Sequence, residues 1–283
     1  MPGRVHNAAL QLRAVNRVVR RGGVPLRDRL AAPDERLVFV LGSPRSGTTF
    51  LARALGSLPG FVDLGEVPPL KAAIPELAGM SASAVAPRIR RTLDATRRLG
   101  LVGRRRGVEQ TPESVFVAPA IVLAYPQATL VHIVRDGRDV ACSLLERGWL
   151  SAGRRGADDA GNPYGAEPRF WVEPDRREEF RATSDARRAA WAWRRYVSAA
   201  RAAAGEHVLE VRYERMHAEP EGVAGDLAAR LGTDPGPLQA QLRAAHGSSV
   251  GRYRRDLAPE QLRDVLAEAG GLLEALGYTL GES

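Results

Sequence analysis

The chain predicts an α/β fold: a P-loop-containing parallel sheet flanked by helices on both faces. Three observations carry that expectation. A short apolar run, Leu37 to Leu41, enters the glycine-bounded loop Gly42-Ser43-Pro44-Arg45-Ser46-Gly47-Thr48-Thr49, after which Phe50, Leu51, Ala54, Leu55 and Leu58 recur at helical spacings. Ala128 to Val134 reads as a buried strand and is again followed at once by a helical pattern. Strands and helices alternate along the remainder, the order that parallel βαβ units require.

The elements follow in order. Residues 1–35 form a basic lead-in whose Ala9 to Arg21 segment is an amphipathic helix, with Leu12, Val15 and Val19 set against Arg13, Arg17 and Arg20. It either packs on the domain or touches a membrane surface peripherally. Gly22 to Pro25 ends it. Residues 36–283 then make one P-loop domain. The apolar run before Glu66 (FVDL) places that residue at the end of a second strand beside the first. Helical patterns follow at 70–79 and 83–99, a strand at 107–111, a helix at 114–124, the strand at 128–134 and a helix from Asp136 to Arg147. Residues 149–183 break the pattern with glycines, prolines and the aromatics Trp149, Tyr164, Phe170 and Trp171, which suggests a lid or an acceptor-binding loop. A plain surface loop is the alternative. A long helix at 184–204, a strand at 208–211, helices at 226–231 and 238–245, an arginine-rich loop at 246–258 and one or two helices over 259–276 complete the chain.

Composition narrows the function classes. The chain has 283 residues, 44% hydrophobic and 26% charged. No apolar run reaches membrane-spanning length, and no secretory signal pattern opens the sequence. The single cysteine, Cys142, excludes an internal disulfide and fits a cytoplasmic location. No Cys/His cluster has zinc spacing, so no metal is expected, and His132 reads as a packed strand histidine. The net charge of +8 is carried almost wholly by arginine, Lys71 being the one lysine. No aromatic-interleaved basic stripe points to nucleic acid.

The loop at 42–49 has the spacing of a phosphate cradle, in which glycines turn backbone N–H groups inward and the helix N-terminus adds partial positive charge. The Walker lysine is missing, since Thr48 follows Gly47; the strong cation is Arg45, inside the loop. A second anion site is legible after the strand ending at Val134. Arg135 leaves a strand C-terminus, Asp136 suits an N-cap, and Asp139, Ser143 and Arg147 share a helix face. Arg135, Ser143 and Arg147 then converge on a second phosphate, or the same residues form only a capped helix with a surface ladder.

Together these motifs resemble the sulfotransferases that use 3′-phosphoadenosine 5′-phosphosulfate. GSPRSGTT, RDGRDVACS with Ser143 eight positions after Arg135, YPQATLVHIVRD, VLEVRYERMHAEP and SSVGRYRRDLAPEQ stand in that family's order over residues 36–279. The resemblance implies a sulfotransferase-like fold and transfer of a sulfuryl group to a hydroxyl acceptor. It assigns Arg45, Ser46, Gly47, Thr48 and Thr49 to the 5′-phosphosulfate and Arg135, Ser143 and Arg147 to the 3′-phosphate. Tyr213 would approach the nucleotide, and Ser248 and Arg252 would close over it. The product would be adenosine 3′,5′-bisphosphate.

The histidine base of the cytosolic small-molecule branch is absent: Gln110-Thr111-Pro112 has proline at its position. Leu64-Gly65-Glu66-Val67-Pro68-Pro69 is similar to the glutamate site of the protein-tyrosine and heparan-sulfate branches, which makes Glu66 the expected base beside Arg45, with Glu109 and Glu113 in reserve. Gln110 replaces a lysine common in related sequences. Two other readings stand: a P-loop kinase or other nucleotide phosphotransferase, opposed by the missing Walker lysine, and a nucleotide-binding homologue without turnover. The acceptor, whether glycan, phenol, lipid alcohol or tyrosine, is not specified by sequence.

Overall fold

In the computed structural model, described at residues 2–21, 31–203, 205, 208–244 and 247–280, the strands are β1 (Val38–Leu41), β2 (Phe61–Gly65), β3 (Arg106–Glu109), β4 (Thr129–Val134) and β5 (Val208–Arg212). All pair in parallel, in the order β2-β3-β1-β4-β5. The helices are α1 (Pro2–Arg21), α2 (Thr48–Gly56), α3 (Pro68–Leu77), α4 (Ala82–Leu99), α5 (Ala118–Ala124), α6 (Gly137–Arg147) and α7 (Arg177–Ala182). They continue with α8 (Asp185–Ala202), α9 (Tyr213–Ala218), α10 (Pro220–Leu231), α11 (Pro235–Leu242), α12 (Tyr253–Asp256) and α13 (Pro259–Ala275). Short 3₁₀ turns stand at Pro112–Val117, Pro174–Arg176 and Gly247–Ser249.

Strand side chains alternate between faces, and here both faces are covered. Leu37, Phe39 and Leu41 point into one core with Val62, Leu64, Leu130 and Val134, closed by residues of α3, α4, α5, α6, α8 and α13. Val38 and Val40 point into the other with Val108, Val131 and Ile133, closed by α2, α10 and α11. Burying each large apolar side chain contributes roughly 1.5–3 kcal/mol, which is why the strands read as near-continuous apolar runs. His132 is buried in β4, 3.3 Å from Glu210, as a packed histidine.

Because β1 is central, the chain leaves it toward β2 and β3 on one side and toward β4 and β5 on the other. The carboxyl ends of β1 and β4 therefore flank a topological switch point, where open α/β sheets hold ligands.

Several expectations need correction. β2 does not lie beside β1, because β3 separates them. The buried stripe of α1 is Leu10, Ala14 and Val18, while Leu12 and Val19 are exposed. α10 begins at Pro220, six residues before the expected start, and the arginine-rich loop contains α12. The C-terminal pattern, expected to give one or two helices, forms the single helix α13 and needs no correction. The turn expected at 22–25 lies outside the described residues.

The segment at 149–183 is anchored rather than loose. Trp171 is buried and packs edge-on against Phe180 and Tyr196, with centroids 5.7 and 6.1 Å apart, and Phe170 meets Phe116 at 5.1 Å. Nearby, the buried Glu268 of α13 accepts from Arg176 (3.0 Å), Arg187 (3.2 Å) and Arg194 (2.8 Å), tying α13 to α8 and to the end of that segment. A carboxylate this deep is tolerated because three guanidinium groups satisfy it.

Candidate active site

The loop joining β1 to α2 lies at the switch point. Arg45 sits at φ 73° and Gly47 at φ 97°. A left-handed residue with a side chain costs roughly 1–2 kcal/mol, so Arg45 is held against a local cost. Gly47 is needed for a second reason: a Cβ there would lie 2.7 Å from the Tyr213 ring. The first N–H groups of α2 have no acceptor within the helix and open onto the loop.

The sequence RDGRD behind β4 resolves residue by residue. Asp136 caps α6 by accepting from Arg138 N at 2.9 Å and pairs with the Arg138 guanidinium at 2.7 Å. Gly137 faces Trp193 so closely that a Cβ would lie 2.6 Å from the indole, whose Nε1–H donates to Arg135 O at 2.9 Å. Asp139 is fully buried and accepts from Gly251 N (2.7 Å) and Tyr253 N (3.0 Å). It anchors the segment at 247–256 instead of joining a surface ladder. Arg135 is left to face the cleft; it donates to Arg45 O at 3.2 Å and to Ser249 O and lies 4.5 Å from the Tyr213 ring centre.

These elements enclose a pocket of about 430 Å³, lined among others by Arg45, Gly47, Thr48, Thr49, Arg135, Ser143, Tyr213, Ser248 and Arg252. Arg45 Nε donates to Ser143 Oγ at 2.9 Å, and Tyr213 and Ser249 hydroxyls stand 3.0 Å apart. Ser46 borders the loop with a buried Oγ that has no partner. Arg147 is exposed and does not line the pocket, a departure from its expected place. Arg252 does line it, but its guanidinium is held by Glu146 and by Asp256, the latter at 2.7 Å. Burial, with Arg147 and Arg135 close by, lowers the pKa of Arg45 from its ordinary value. Repelling cations around partly buried donors suit a polyanion, which relieves them. Arg135, which lines the pocket, also carries a buried Nε without a partner.

A second pocket, about 340 Å³, opens on the other side of Arg45, Thr48 and Thr49. Glu66 lines it, presented by a bulge in β2, where pairing with β3 shifts between Asp63 and Gly65. Three contacts fix the backbone around Glu66. Asp63 Oδ1 accepts from Gly65 N (2.7 Å), Glu66 O accepts from Arg17 of α1 (2.7 Å), and Thr111 Oγ1 accepts from Val67 N (3.0 Å). Lys71 Nζ pairs with the Glu66 carboxylate at 3.0 Å and with Asp158 and Asp159 of the irregular segment at 3.4 and 3.5 Å. Burial works against the Lys71 charge, but Glu113, Glu66 and Asp158 outweigh it and hold the ammonium well above its ordinary pKa. Lys71 therefore serves this pocket and does not replace the lysine absent at Gln110, whose Oε1 accepts from Thr49 Oγ1 at 3.2 Å.

Of the reserve carboxylates, Glu113 lines the pocket and Glu109 does not. Glu109 is wholly buried, accepts from Thr111 N (2.8 Å) and Ser114 Oγ (3.3 Å), and burial pushes its pKa up to about 7. It is a strut under the Thr111 turn. Since the folded pKa exceeds the ordinary 4.5, the native state binds the proton more tightly than the unfolded chain. Stability is therefore lost as pH rises through 4.5 and levels off above about 7, a loss on the order of 3 kcal/mol. Glu109→Gln removes that titration. Its unfolding free energy is expected to gain on wild type between pH 5 and pH 8 in urea melts, and a pH-independent difference would refute the assignment.

Sequence reasoning missed the roles of Asp139 and Arg17 and the pairing of Lys71 with Glu66. The 149–183 segment, by contrast, contributes Trp149, Asp158, Asp159, Tyr164 and Arg169 to the second pocket.

Among the described residues no helix is long and apolar enough to cross a membrane, and no group of His, Cys, Asp and Glu could hold a metal ion. Comparison with known proteins addresses the whole constellation. Curated proteins include no sequence match. The sulfotransferase domain from the curacin biosynthetic pathway superposes with a TM-score of 0.53 at 15% identity, covering 89% of this chain and 100% of that one. A mouse sulfotransferase complexed with PAP superposes with a TM-score of 0.52 at 16% identity, covering 89% and 90%. At these identities the likeness speaks for the fold. Residues 82–235, more than half of the sequence, match the sulfotransferase family itself, and the chain belongs to that family.

Proposed function

We propose that the protein transfers a sulfuryl group from 3′-phosphoadenosine 5′-phosphosulfate to a hydroxyl. The observation that carries this reading is the pair of pockets meeting at Arg45, Thr48 and Thr49, one cationic and one carrying Glu66. The donor, when bound, supplies the activated sulfur. Arg135, Ser143, Ser248 and Tyr213 hold its 3′-phosphate side; Ser46, Gly47, Thr48 and Thr49 hold the 5′ side. Arg252 joins them by exchanging Glu146 for phosphate, and Arg147 adds only long-range charge.

In the reaction the acceptor oxygen bonds to sulfur as the bond from sulfur to the 5′-phosphate oxygen breaks. Glu66 takes the hydroxyl proton, and Arg45 neutralises charge on the departing oxygen. Lys71 keeps the Glu66 carboxylate oriented, as does the backbone clamp of Arg17, Asp63 and Thr111. The glutamate base sets the protein beside the protein-tyrosine and heparan-sulfate branches in mechanism. The leaving group is adenosine 3′,5′-bisphosphate, and no metal enters the scheme.

Calorimetry with that bisphosphate tests the donor side. Ser143→Ala combined with Arg135→Ala is expected to weaken its binding by roughly 100-fold or more, on the order of 3 kcal/mol for charge-assisted contacts, while adenosine 5′-phosphate loses far less. Equal losses for the two nucleotides would leave the residues of RDGRD only structural. ATP turnover dependent on magnesium would favour a phosphotransferase instead.

A further inference from the structure

The pocket beside Glu66 carries a carboxylate that the transfer step does not use. Glu113 is 2% exposed; its Oε1 accepts from the buried Tyr196 hydroxyl at 3.1 Å, and its Oε2 has no partner. Glu113 borders the same pocket as Trp149 and Tyr164. A buried carboxylate oxygen without a donor is costly, so a ligand that brings one gains by the pairing.

The charges around it are selective. Glu66, Glu113, Asp158 and Asp159 line one space. Lys71 is already shared among Glu66, Asp158 and Asp159, and Arg45 faces the donor side through Ser143. Arg169 is buried, its Nε donating to Pro163 O at 2.9 Å. An anionic acceptor would meet four carboxylates and compete for cations already engaged. An apolar alcohol would leave Glu113 Oε2 unpaired. A hydroxyl suits Glu113 in either protonation state, donating to the carboxylate or accepting from the acid. The volume, about 340 Å³, lies at the small end of ligand pockets, which run from roughly 300 to 1,000 Å³. Trp149 and Tyr164 supply flat apolar surface beside these polar groups.

We propose that Glu113 is a specificity residue for an uncharged polyhydroxylated acceptor of sugar size, one hydroxyl facing Glu66 for transfer and another hydrogen-bonded to Glu113. The proposal rests on the sulfuryl-transfer reading and names its acceptor class.

The probes are methyl glucoside, glucuronic acid and 4-methylphenol, tested with wild type and with Glu113→Gln. Calorimetry in the presence of adenosine 3′,5′-bisphosphate reads binding, and mass spectrometry of the sulfated product reads kcat/KM. Methyl glucoside is expected to bind and to be sulfated at least tenfold more efficiently than the other two. Glu113→Gln is expected to lower kcat/KM for the glucoside by roughly tenfold or more, leaving bisphosphate affinity and any residual activity on 4-methylphenol within twofold. Preference for glucuronic acid or the phenol, absence of glucoside binding, or an equal loss on every acceptor overturns the proposal. Should Glu113→Gln fold poorly, Asp158→Asn with Asp159→Asn serves in its place, and must raise glucuronic acid turnover relative to glucoside. Failure of wild type to bind the bisphosphate would instead overturn the donor reading beneath it.

Discussion

Arg45→Ala is expected to reduce sulfuryl transfer by roughly 10³-fold or more, the range seen when a charge-stabilising group is removed from a transferring phosphoryl centre. Among the described residues, Arg45 is the one arginine that lines both pockets. It donates to Ser143 Oγ at 2.9 Å and stands 6.0 Å from the Trp149 ring centre. The substitution isolates the side chain, because alanine keeps the Cβ and so the same left-handed backbone cost at φ 73°. Ser143 loses a partner but remains beside solvent-accessible space, so the fold is expected to survive. Binding of adenosine 3′,5′-bisphosphate should fall far less than turnover, since Arg135 and the loop N–H groups remain. Steady-state turnover beside calorimetric affinity decides it. Turnover within tenfold of wild type would remove Arg45 from the chemistry.

The cationic pocket was legible because each half of its wall is local. Strand, loop and helix follow one another from Leu37 to Leu58, and a run of nine residues from Arg135 to Ser143 fixes the other half. What stayed hidden depends on contacts between distant segments. Asp139 meets Gly251 and Tyr253 more than a hundred residues away, and Lys71 meets Asp158. Nothing in the sequence near either residue reports such a partner. The face of α1 was misread for a different reason. Leu10, Ala14 and Val18 form one stripe and Leu12, Val15 and Val19 another, so periodicity alone does not choose. Packing chose the stripe with the small residue, Ala14, and turned Arg17 toward the carbonyl of Glu66. The position of β2 was missed because strand order is a non-local property; a short apolar run names a strand without naming its neighbour.

Glu66→Gln is expected to lower kcat by roughly 10²- to 10⁴-fold, the usual contribution of a general base. Glutamine preserves the shape and can still meet Lys71 through its carbonyl oxygen, but it cannot accept the acceptor's proton. The backbone clamp at Gly65, Glu66 and Val67 uses Asp63, Arg17 and Thr111, none of which is altered. Lys71 keeps its pairs with Asp158 and Asp159, so the pocket wall is expected to stay in place. Glu66 does not line the nucleotide pocket, and bisphosphate affinity should therefore match wild type within about twofold. That split is the discriminating result. If turnover is unchanged, the proton goes elsewhere, and Glu113 is the next carboxylate to test because Glu109 is sealed beneath Thr111. If affinity and turnover fall together, Glu66 supports the loop rather than the reaction. A loss confined to turnover makes Glu66 the group that turns a nucleotide clamp into a transferase.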